Sequence, residues 1–271
     1  MNNDIEIRPL ETHADLLACV ALQRETWGAR FTEVVPPSLL LACQKVGGIS
    51  AGAFTATGEL VGFVFGMSGV ENGKLVHWSD MLAVKANMRD RRLGWRLKMH
   101  QRTMLIARGV RTIYWSYDPL EARNAHLNFN KLGATFSDYV TDMYPGEKSD
   151  LHRGLGTDRF IVAWQIQSKR VENILAGEPP RLPPATSRSP IVTLKNHGAS
   201  DTKVSELPTD RIIRVEIPAN IQETKHRGHA LGRRWRCFTR QVFLHYLAAD
   251  YRVRNFYADA AAEQCFYLLV R

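Results

Sequence analysis

The sequence predicts a mixed α/β fold, more narrowly an α+β arrangement in which helices pack on one mixed sheet. Strand-like apolar runs alternate along the chain with amphipathic helical stretches. The composition, 45% hydrophobic and 23% charged over 271 residues, is typical of a globular protein. Prolines crowd residues 167–210 and predict a linker without regular elements. This leaves a first domain at 1–166 and a C-terminal β-α-β-β extension at 211–271, small enough that we expect it to dock on the first domain.

The first half of the first domain reads as strand, helix, hairpin, strand and helix. A short strand ends at Pro9, and apolar residues recur at helical spacing over 13–27. The run GGISAGAFTATGELVGFVFGMS predicts a hairpin that turns at Thr57–Glu59, and KLVHWSDMLAV predicts the next strand. A long amphipathic helix is then expected from Arg89 to Arg108, where Gly109 stops it.

The remaining elements alternate in the same way. RTIYWSYDP predicts a strand, and residues 121–132 a helix that ends at Gly133 in the left-handed conformation. ATFSDYVTDMY and DRFIVAWQI predict strands on either side of the glycine-rich loop GEKSDLHRGLGT. In the C-terminal segment, RIIRVEIPAN predicts a strand, residues 230–249 a helix, and YRVRNFYAD and QCFYLLVR two further strands.

The N-terminal sequence and the spacing of the cysteines indicate the cellular compartment of the protein. MNNDIEIRPL lacks a basic segment followed by a long apolar run, and no stretch approaches the roughly 18 apolar residues of a membrane helix. The cysteines are widely scattered and form no C-x-x-C pair, which argues against a zinc site or a disulfide framework. We therefore expect a cytoplasmic protein without a metal.

Basic residues concentrate in two segments of a chain whose formal net charge is +9. Nine Lys or Arg residues stand between Lys85 and Arg111 against the single acid Asp90, and a second cluster spans 225–240. Net charge indicates partners rather than fold. These clusters predict either one anionic ligand or a polyanion.

The stretch RDRRLGWRLK, residues 89–98, follows a predicted strand and opens a predicted helix. The first turn of a helix presents unpaired N–H groups and the positive end of the dipole, which together bind phosphate. Neither a Walker loop nor G-x-G-x-x-G is present, so this is a different phosphate-binding turn. We expect Arg89 and Arg91 to contact phosphate. The basic residues that follow are expected to form a solvated helix face; they are Arg96, Lys98, Arg102 and Arg108.

This arrangement resembles the GNAT superfamily of acyl-CoA-dependent N-acyltransferases, in which [QR]-x-x-G-x-[GA] opens a helix after a strand that ends in Val. Here the strand ends at Val84 and the motif aligns with Arg89–Gly94, with Arg92 in place of the first glycine. The resemblance implies that acyl-CoA binds along Leu82, Val84, Arg89, Asp90, Arg91, Arg92, Leu93, Gly94 and Trp95.

A second motif extends the resemblance over about residues 5–166. In RTIYWSYDPLEARNAHLNFNKLGA, Asn124, Phe129 and Gly133 match the strand and helix that follow in GNAT enzymes and line the pantetheine arm. WSYDPLEARNAHLN, GLGTDRFIVAW and RVEIPANIQ also resemble a GNAT subgroup with relatives similar to amino-acid N-succinyltransferases. The implied function is transfer of an acetyl or succinyl group from acyl-CoA to a small-molecule amine such as an amino acid. No nucleic-acid or membrane partner is expected, and a homodimer is left open.

Amide formation needs a base and an oxyanion donor. An alkyl ammonium, with a pKa near ~10, must lose a proton before its nitrogen can attack a thioester. Counting back in twos from Val84 along its strand gives Leu82, Asp80 and Trp78. Asp80 is the titratable side chain among them and is the candidate base, acting through a water. By resemblance, the backbone N–H of Leu82 is the candidate oxyanion donor.

The general acid and the substrate contacts stay open. In the family a tyrosine usually stands where this chain has Phe129. Either the thiolate, with a pKa of roughly 8 to 9, leaves without help, or Tyr117 or Tyr144 donates the proton. Arginine binds carboxylates through two hydrogen bonds, which makes Arg153 and Arg159 candidates for binding an acidic substrate group.

Two other function classes fit the same sequence. Arg92 in place of glycine and Phe129 in place of tyrosine favour a GNAT-fold protein that binds acyl-CoA without chemistry. The two basic clusters favour a nucleic-acid-binding protein, whose binding would weaken steeply with salt.

Overall fold

The computed structural model describes residues 5–89, 91–146, 149, 154–178, 191–196, 207–259 and 264–271. It confirms the predicted class, a mixed α/β fold with a mixed sheet. The strands are β1 (Glu6–Pro9), β2 (Ile49–Phe54), β3 (Leu60–Glu71), β4 (Lys74–Val84), β5 (Thr112–Tyr117), β6 (Thr135–Val140), β7 (Arg159–Gln165), β8 (Ile191–Leu194), β9 (Ile212–Ile217), β10 (Arg252–Asp259) and β11 (Gln264–Val270). The helices are α1 (His13–Trp27), α2 (Pro37–Lys45), α3 (Leu93–Ala107), α4 (Ala122–Ala125), α5 (Lys169–Leu175), α6 (Ile221–Arg227) and α7 (His229–Ala248).

The chain divides into two compact units. Unit 1 comprises the described residues of Met1–Trp115, Gly146–Leu151 and Trp164–Ser168. Unit 2 comprises those of Ser116–Pro145, His152–Ala163 and Lys169–Arg271. Strands β5 and β7 each run from one unit into the other. The predicted domain boundaries at 166 and 210 stay a prediction.

In unit 1 the strands follow the order β1-β2-β3-β4-β5. The pairs from β1 to β4 are antiparallel, whereas β4 and β5 are parallel, with Val76–Trp78 opposite Thr112–Tyr114. Helices α1 and α2 cover one face of this sheet. The core between them is built from Leu16, Cys19, Leu22, Leu40, Cys43, Phe54, Phe63, Phe65, Met81 and Ala83.

A bulge interrupts the pairing of β3 with β4. Phe65 lies opposite Met81, but Met67 lies opposite Trp78, so Gly66 faces two residues of β4, Ser79 and Asp80. A Cβ atom at Gly66 would lie 2.3 Å from the His77 Nε2 atom and 2.5 Å from the Trp78 carbonyl oxygen. Glycine is therefore required at this position, because β4 comes too close for any side chain.

Unit 2 contains the antiparallel pair β6–β7 and a four-stranded sheet of order β10-β11-β9-β8, in which β8 and β9 are parallel. Its interior is rich in aromatic rings. The Phe160 ring lies 4.8 Å from Phe243, 5.2 Å from Tyr267 and 6.1 Å from Tyr117, centre to centre. Aromatic packing of this kind buries a large apolar area.

Three sequence expectations about elements are corrected. The described part of the predicted linker 167–210 holds two regular elements, α5 and β8, and β8 is stabilised by parallel pairing with β9. Helix α2, which has proline in its first turn as helices favour, was not predicted. The C-terminal extension includes the additional helix α6, which Asn220 caps.

Two predicted helices differ from the structure in their geometry. The helix expected over 121–132 is α4 followed by a π-helical segment, His126–Lys131, and Gly133 ends it with a φ of 73° as predicted. The helix expected from Arg89 begins instead at Leu93, because Arg92 has a φ of 58°, which no α-helix accommodates. Among the described residues, no helix is long and apolar enough to cross a membrane.

Candidate active site

Buried and more accessible side chains alternate along β4. His77, Ser79, Met81 and Ala83 are all buried. Their neighbours Trp78, Leu82 and Val84 are partly accessible, and Asp80 is exposed. The bulge at Ser79 and Asp80 interrupts the alternation of β4. Leu82 and Val84 lie on the side of α3, where Gly94 approaches the Leu82 side chain, whereas Asp80 lies on the side of α1 and α2, where it interacts electrostatically with Cys43 and Glu33. The single accessible face expected from counting in twos is therefore not formed.

The backbone of Leu82 points away from β3. Lys85 N–H donates a hydrogen bond to the Val61 carbonyl at 2.9 Å, which marks residues 85 and 61 as a hydrogen-bonded pair. Because such pairs alternate in an antiparallel ladder, the next ones are 83 with 63 and 81 with 65. Leu82 and Val84 then direct their N–H and C=O groups to the other edge of β4.

A neighbouring contact and the sheet register agree with this direction. The Val84 carbonyl accepts a hydrogen bond from the Arg89 Nε atom at 3.4 Å. Among the described residues, β5 pairs with β4 only at Val76–Trp78, so Leu82 lies beyond that ladder. Its N–H group is therefore suitably directed to donate a hydrogen bond to a bound molecule.

The carboxyl group of Asp80 is a better base than an ordinary aspartate. Its pKa is raised, chiefly because surrounding protein reduces its hydration although the residue reaches solvent. The negative charge of Glu33 raises the pKa further, and a hydrogen bond from the Trp78 side chain opposes both effects. A raised pKa brings a carboxylate closer to the proton affinity that a general base needs near neutral pH.

The segment after β4 turns sharply into α3. A single 3₁₀ turn, Ala86–Met88, is followed by Arg92 at φ 58° and ψ 15°, in the left-handed region. This is the position at which the sequence motif has its first glycine. Left-handed backbone costs a non-glycine residue roughly 1–2 kcal/mol. The chain thus retains the conformation that glycine would supply, although arginine stands there.

The N-terminus of α3 is open to an anion. Among the described residues no side chain caps it, and its first turn contains no acid. The first amide to bond back within the helix is Arg96 N–H, which donates to the Arg92 carbonyl at 3.0 Å. No group in the described part of the chain accepts from the amides of 93–95, which suits them to another acceptor. Arg89 and Arg91 are exposed beside them. A Cβ atom at Gly94 would make ordinary contact with Leu82 at 3.6 Å, which fits the [GA] of the motif.

The predicted solvated face of α3 is wrong at Lys98. This residue is buried with 4% of its surface exposed, and its ammonium donates to the Ser79 Oγ atom at 2.7 Å. Burial lowers its pKa to about 7. The arginines of the same predicted face donate to backbone carbonyls: Arg96 to Ile5, Arg102 to Ile166, and Arg108 to Gly47 and Gly48.

The two candidate acids lie in unit 2 and differ in environment. The hydroxyl of Tyr117 is buried and lies 3.1 Å from that of Tyr267, and burial strongly raises the Tyr117 pKa. Tyr144 is partly accessible, with its hydroxyl 3.1 Å from the Ser116 Oγ atom. Tyr144 is therefore the better placed of the two to exchange a proton with a ligand.

The other predicted residues of unit 2 do not form one site. Asn124 is exposed on α4, whereas Phe129 is fully buried against the Tyr267 ring at 6.1 Å. Arg159 is also buried, with its guanidinium 5.3 Å from the Tyr144 ring and a hydrogen bond to the Asp158 carbonyl at 3.2 Å. Burial speaks against a ligand contact for Phe129 and Arg159. Asp90 and Arg153 lie outside the described residues.

Two arginines of the second basic cluster, Arg236 and Arg240, form ion pairs within unit 2 that sequence reasoning missed. Arg236 is buried and binds Asp118 at 2.6 Å, and Arg240 pairs with both Asp142 and Asp158. These acids precede the cluster by about a hundred positions, so no local pattern could reveal them. Among the described residues, no group of three or more His, Cys, Asp or Glu side chains could hold a metal ion.

No protein-family model matches the chain, and no curated protein matches its sequence. Solved structures similar to it include the ribosomal-protein-S18-alanine N-acetyltransferase from Escherichia coli, at 20% identity and a TM-score of 0.45 over 61% of this chain and 96% of that one. A GNAT-family acetyltransferase from Streptococcus pneumoniae is similar at 17% identity and a TM-score of 0.47, over 59% of this chain and 98% of that one. The aminoglycoside 6'-acetyltransferase type Ii is similar at 19% identity and a TM-score of 0.47, over 60% of this chain and 99% of that one. Part of this chain extends beyond each of these structures.

Proposed function

We propose that this protein is an acyl-CoA-dependent N-acyltransferase of the GNAT superfamily. It would transfer an acetyl or succinyl group to the amine of a small molecule such as an amino acid. The observation that carries the proposal lies in unit 1. The edge of β4 to which Leu82 directs its N–H group leads through the left-handed residue Arg92 to the open N-terminus of α3. One strand thus offers a base and an amide donor, and the turn after it offers a phosphate site.

The diphosphate of acyl-CoA is proposed to bind at the start of α3. The amides of 93–95 and the exposed guanidinium groups of Arg89 and Arg91 supply hydrogen bonds and positive charge to it. Val84 and the Arg89 side chain already contact one another at this end of β4. The thioester would then lie along β4, where Leu82 directs its N–H group away from β3.

The chemistry follows from two residues of β4. Asp80, through a water, takes a proton from the substrate ammonium, and the freed nitrogen attacks the thioester carbonyl carbon. Leu82 N–H donates to the oxygen while it carries negative charge. The C–S bond then breaks, the amide forms, the nitrogen loses its second proton to solvent, and the thiolate becomes the thiol of coenzyme A by taking up a proton.

The proton for the thiolate comes from solvent or from Tyr144. Tyr117 is the weaker candidate, because its hydroxyl is buried with Tyr267 and its raised pKa disfavours proton release. Since a thiolate leaves readily without an acid, Tyr144→Phe is expected to lower turnover only modestly. The amino-acid acceptor and the succinyl alternative are supported by the sequence resemblance, with Arg153 rather than the buried Arg159 as the partner for a carboxylate.

The first experiment compares thermal stability with coenzyme A, acetyl-CoA, succinyl-CoA, NAD and ATP. Selective stabilisation by the CoA compounds is expected, followed by release of free thiol over a panel of amines. Asp80→Asn should lower kcat about 100-fold or more, whereas Asp138→Asn, an exposed aspartate on β6, should leave it unchanged. Because the pKa of Asp80 is raised, wild-type kcat should increase with pH as that carboxyl loses its proton. Equal turnover by Asp80→Asn would reject this residue as the base.

A second candidate function is acyl-CoA binding without transfer. Complete burial of Phe129, at the position where the family has its acid, favours it. It predicts stabilisation by coenzyme A that Arg89→Ala with Arg91→Ala removes, together with no thiol release from any acyl-CoA and amine. Thiol release that depends on Asp80 would exclude it.

A further inference from the structure

A chain of buried polar side chains lies behind β4, on the face opposite Asp80. Lys98 of α3 donates to the Ser79 Oγ atom at 2.7 Å and to the Gln101 Oε1 atom at 3.3 Å. The Gln101 amide nitrogen lies 3.1 Å from the His77 Nε2 atom, and the His77 Nδ1 atom lies 3.1 Å from the Ser68 hydroxyl. All of these groups belong to unit 1.

This chain is costly if its purpose is only to pack α3 on the sheet. The ammonium of Lys98 is buried, lies 4.0 Å from the centre of the Trp115 ring, and has its pKa lowered by burial. A leucine or methionine at 98 would avoid the loss of hydration. His77 is completely buried, and its pKa is lowered to about 3, so its imidazole stays neutral. Buried polar groups that keep partners give a structure one defined geometry.

Two hydrogen bonds described between side chains of α3 and β4 fall at the bulge. Ser79 belongs to the pair of residues that face Gly66, and His77 lies two positions before it with its ring over that glycine. A bulge leaves a strand locally less paired and redirects the residues that follow. Asp80 is the other bulged residue, and Leu82 follows it two positions later along β4.

We propose that Lys98 is a positioning residue, which together with Gln101 holds the β4 bulge through Ser79 and His77 and so directs the Asp80 carboxylate and the Leu82 N–H group. Its kinetic consequence rests on the proposed acyl transfer, whereas its structural consequence does not. Lys98 contacts neither reactant and acts only through β4.

The test uses two variants and two controls in the full-length chain. Lys98→Met removes the ammonium at similar length, and Ser79→Ala removes its acceptor, whereas Ser79→Thr restores a hydroxyl. Leu105→Ala, a buried residue of the same helix, controls for a general loss of stability. Assays run at a temperature at which every variant is folded. The readouts are amide chemical shifts of 80–83, hydrogen exchange of the segment 74–84, the Kd of coenzyme A, and kcat.

Lys98→Met and Ser79→Ala should each shift the amide signals of 80–83 and speed hydrogen exchange in β4. They should lower kcat at least tenfold and change the Kd of coenzyme A less than threefold, and Ser79→Thr should recover most of kcat. Leu105→Ala should neither shift the amide signals of 80–83 nor lower kcat. Wild-type amide shifts in Lys98→Met and Ser79→Ala, or changes no larger than those in Leu105→Ala, would overturn the proposal. If the wild type transfers no acyl group, the amide shifts alone decide it, and the proposed function fails separately.

Discussion

Two helices of unit 1 begin in opposite ways. At α1 the Thr12 hydroxyl accepts from Asp15 N–H at 3.1 Å, and the Asp15 carboxylate accepts from the amides of Thr12 and Glu11 at 3.2 and 3.1 Å. Arg8 adds an ion pair at 2.8 Å. At α3 no described side chain caps the amides, and the residue before the helix is a left-handed arginine. The first helix satisfies its N-terminal donors internally, whereas the second leaves them for an external acceptor.

The charges at the two ends make the same distinction. An acid near a helix N-terminus is stabilising by about 0.3–1 kcal/mol, and a base there is unfavourable by a similar amount. The first turn of α1 contains Asp15, whereas Arg91 and Arg92 precede α3 and its first turn has no acid. The stability of the protein without a ligand does not explain why basic residues stand at the N-terminus of α3. An anion that binds α3 reverses the sign of the effect, because it supplies the missing negative charge.

The largest expected effect is on the open end. Arg89→Ala combined with Arg91→Ala should weaken coenzyme A binding about 100-fold or more, since each charge-assisted hydrogen bond contributes roughly 1.5–3 kcal/mol. The matched control is Arg233→Ala with Arg234→Ala, two exposed arginines of α7, which removes the same charge elsewhere. Titration calorimetry measures both. Equal weakening by the two double variants would mean that net charge, not the α3 turn, attracts the ligand.

The next effect concerns the capped end. Hydrogen bonds from Arg8 and from the amides of Thr12 and Glu11 lower the pKa of Asp15 to about 2 from its ordinary value of 3.8. The unfolded chain therefore takes up this proton at a higher pH than the folded one. About 2 kcal/mol of stability, present above pH 4, should be lost as the pH falls from about 4 to 2.

The variant Asp15→Asn tests this prediction in denaturant titrations. It should be less stable than wild type by about 2 kcal/mol at pH 7, and the difference should shrink toward zero near pH 2. Its affinity for coenzyme A should be unchanged, because α1 takes no part in the proposed site. A difference that is constant with pH would mean that packing, and not the charge of Asp15, is what the variant loses.

Much of unit 1 could be predicted because its signals are local. The apolar alternation in KLVHWSDMLAV predicted β4 from Lys74 to Val84, and helical spacing predicted α1 from His13 to Trp27. Counting in twos did not reveal the bulge, so it placed Asp80 on the same face as Leu82. Lys98 was assigned to a solvated face, although it follows Leu97 and precedes Gln101 on the stripe that α3 buries. Helical spacing alone would have placed Lys98 on the buried side of α3, but the general tendency of lysine to be exposed was given more weight.

What could not be predicted depends on distant residues or on rare backbone. The ion pairs of Arg236 and Arg240 join parts of unit 2 that are far apart in sequence, so no periodicity reports them. The start of α3 was misplaced because a left-handed arginine has no sequence signal of its own. The sequence did hold one indication of this conformation, because Arg92 aligns with a motif position that usually holds glycine, and glycine there implies a positive φ.

The smallest effect tests that left-handed residue directly. Within a helix, glycine is less stable than alanine by about 0.5–1 kcal/mol, and Thr103→Gly should be less stable than Thr103→Ala by this amount, because Thr103 is an exposed helical residue of α3. At position 92 the order should reverse. Arg92→Gly and Arg92→Ala lose the same guanidinium, 5.6 Å from the Trp95 ring, but only alanine keeps the cost of positive φ.

Arg92→Gly should therefore exceed Arg92→Ala in stability by about 0.5 kcal/mol, the left-handed cost reduced by the greater freedom of glycine in the unfolded chain. Thermal unfolding of the four variants, at positions 92 and 103, measures both orders in one experiment. If the alanine variant is the more stable one at both positions, residue 92 is not left-handed in solution. The turn before α3 would then not have the backbone conformation that the motif glycine adopts. Opposite orders would establish that residue 92 keeps in solution the left-handed backbone that the motif glycine would adopt, while its arginine adds a positive charge there.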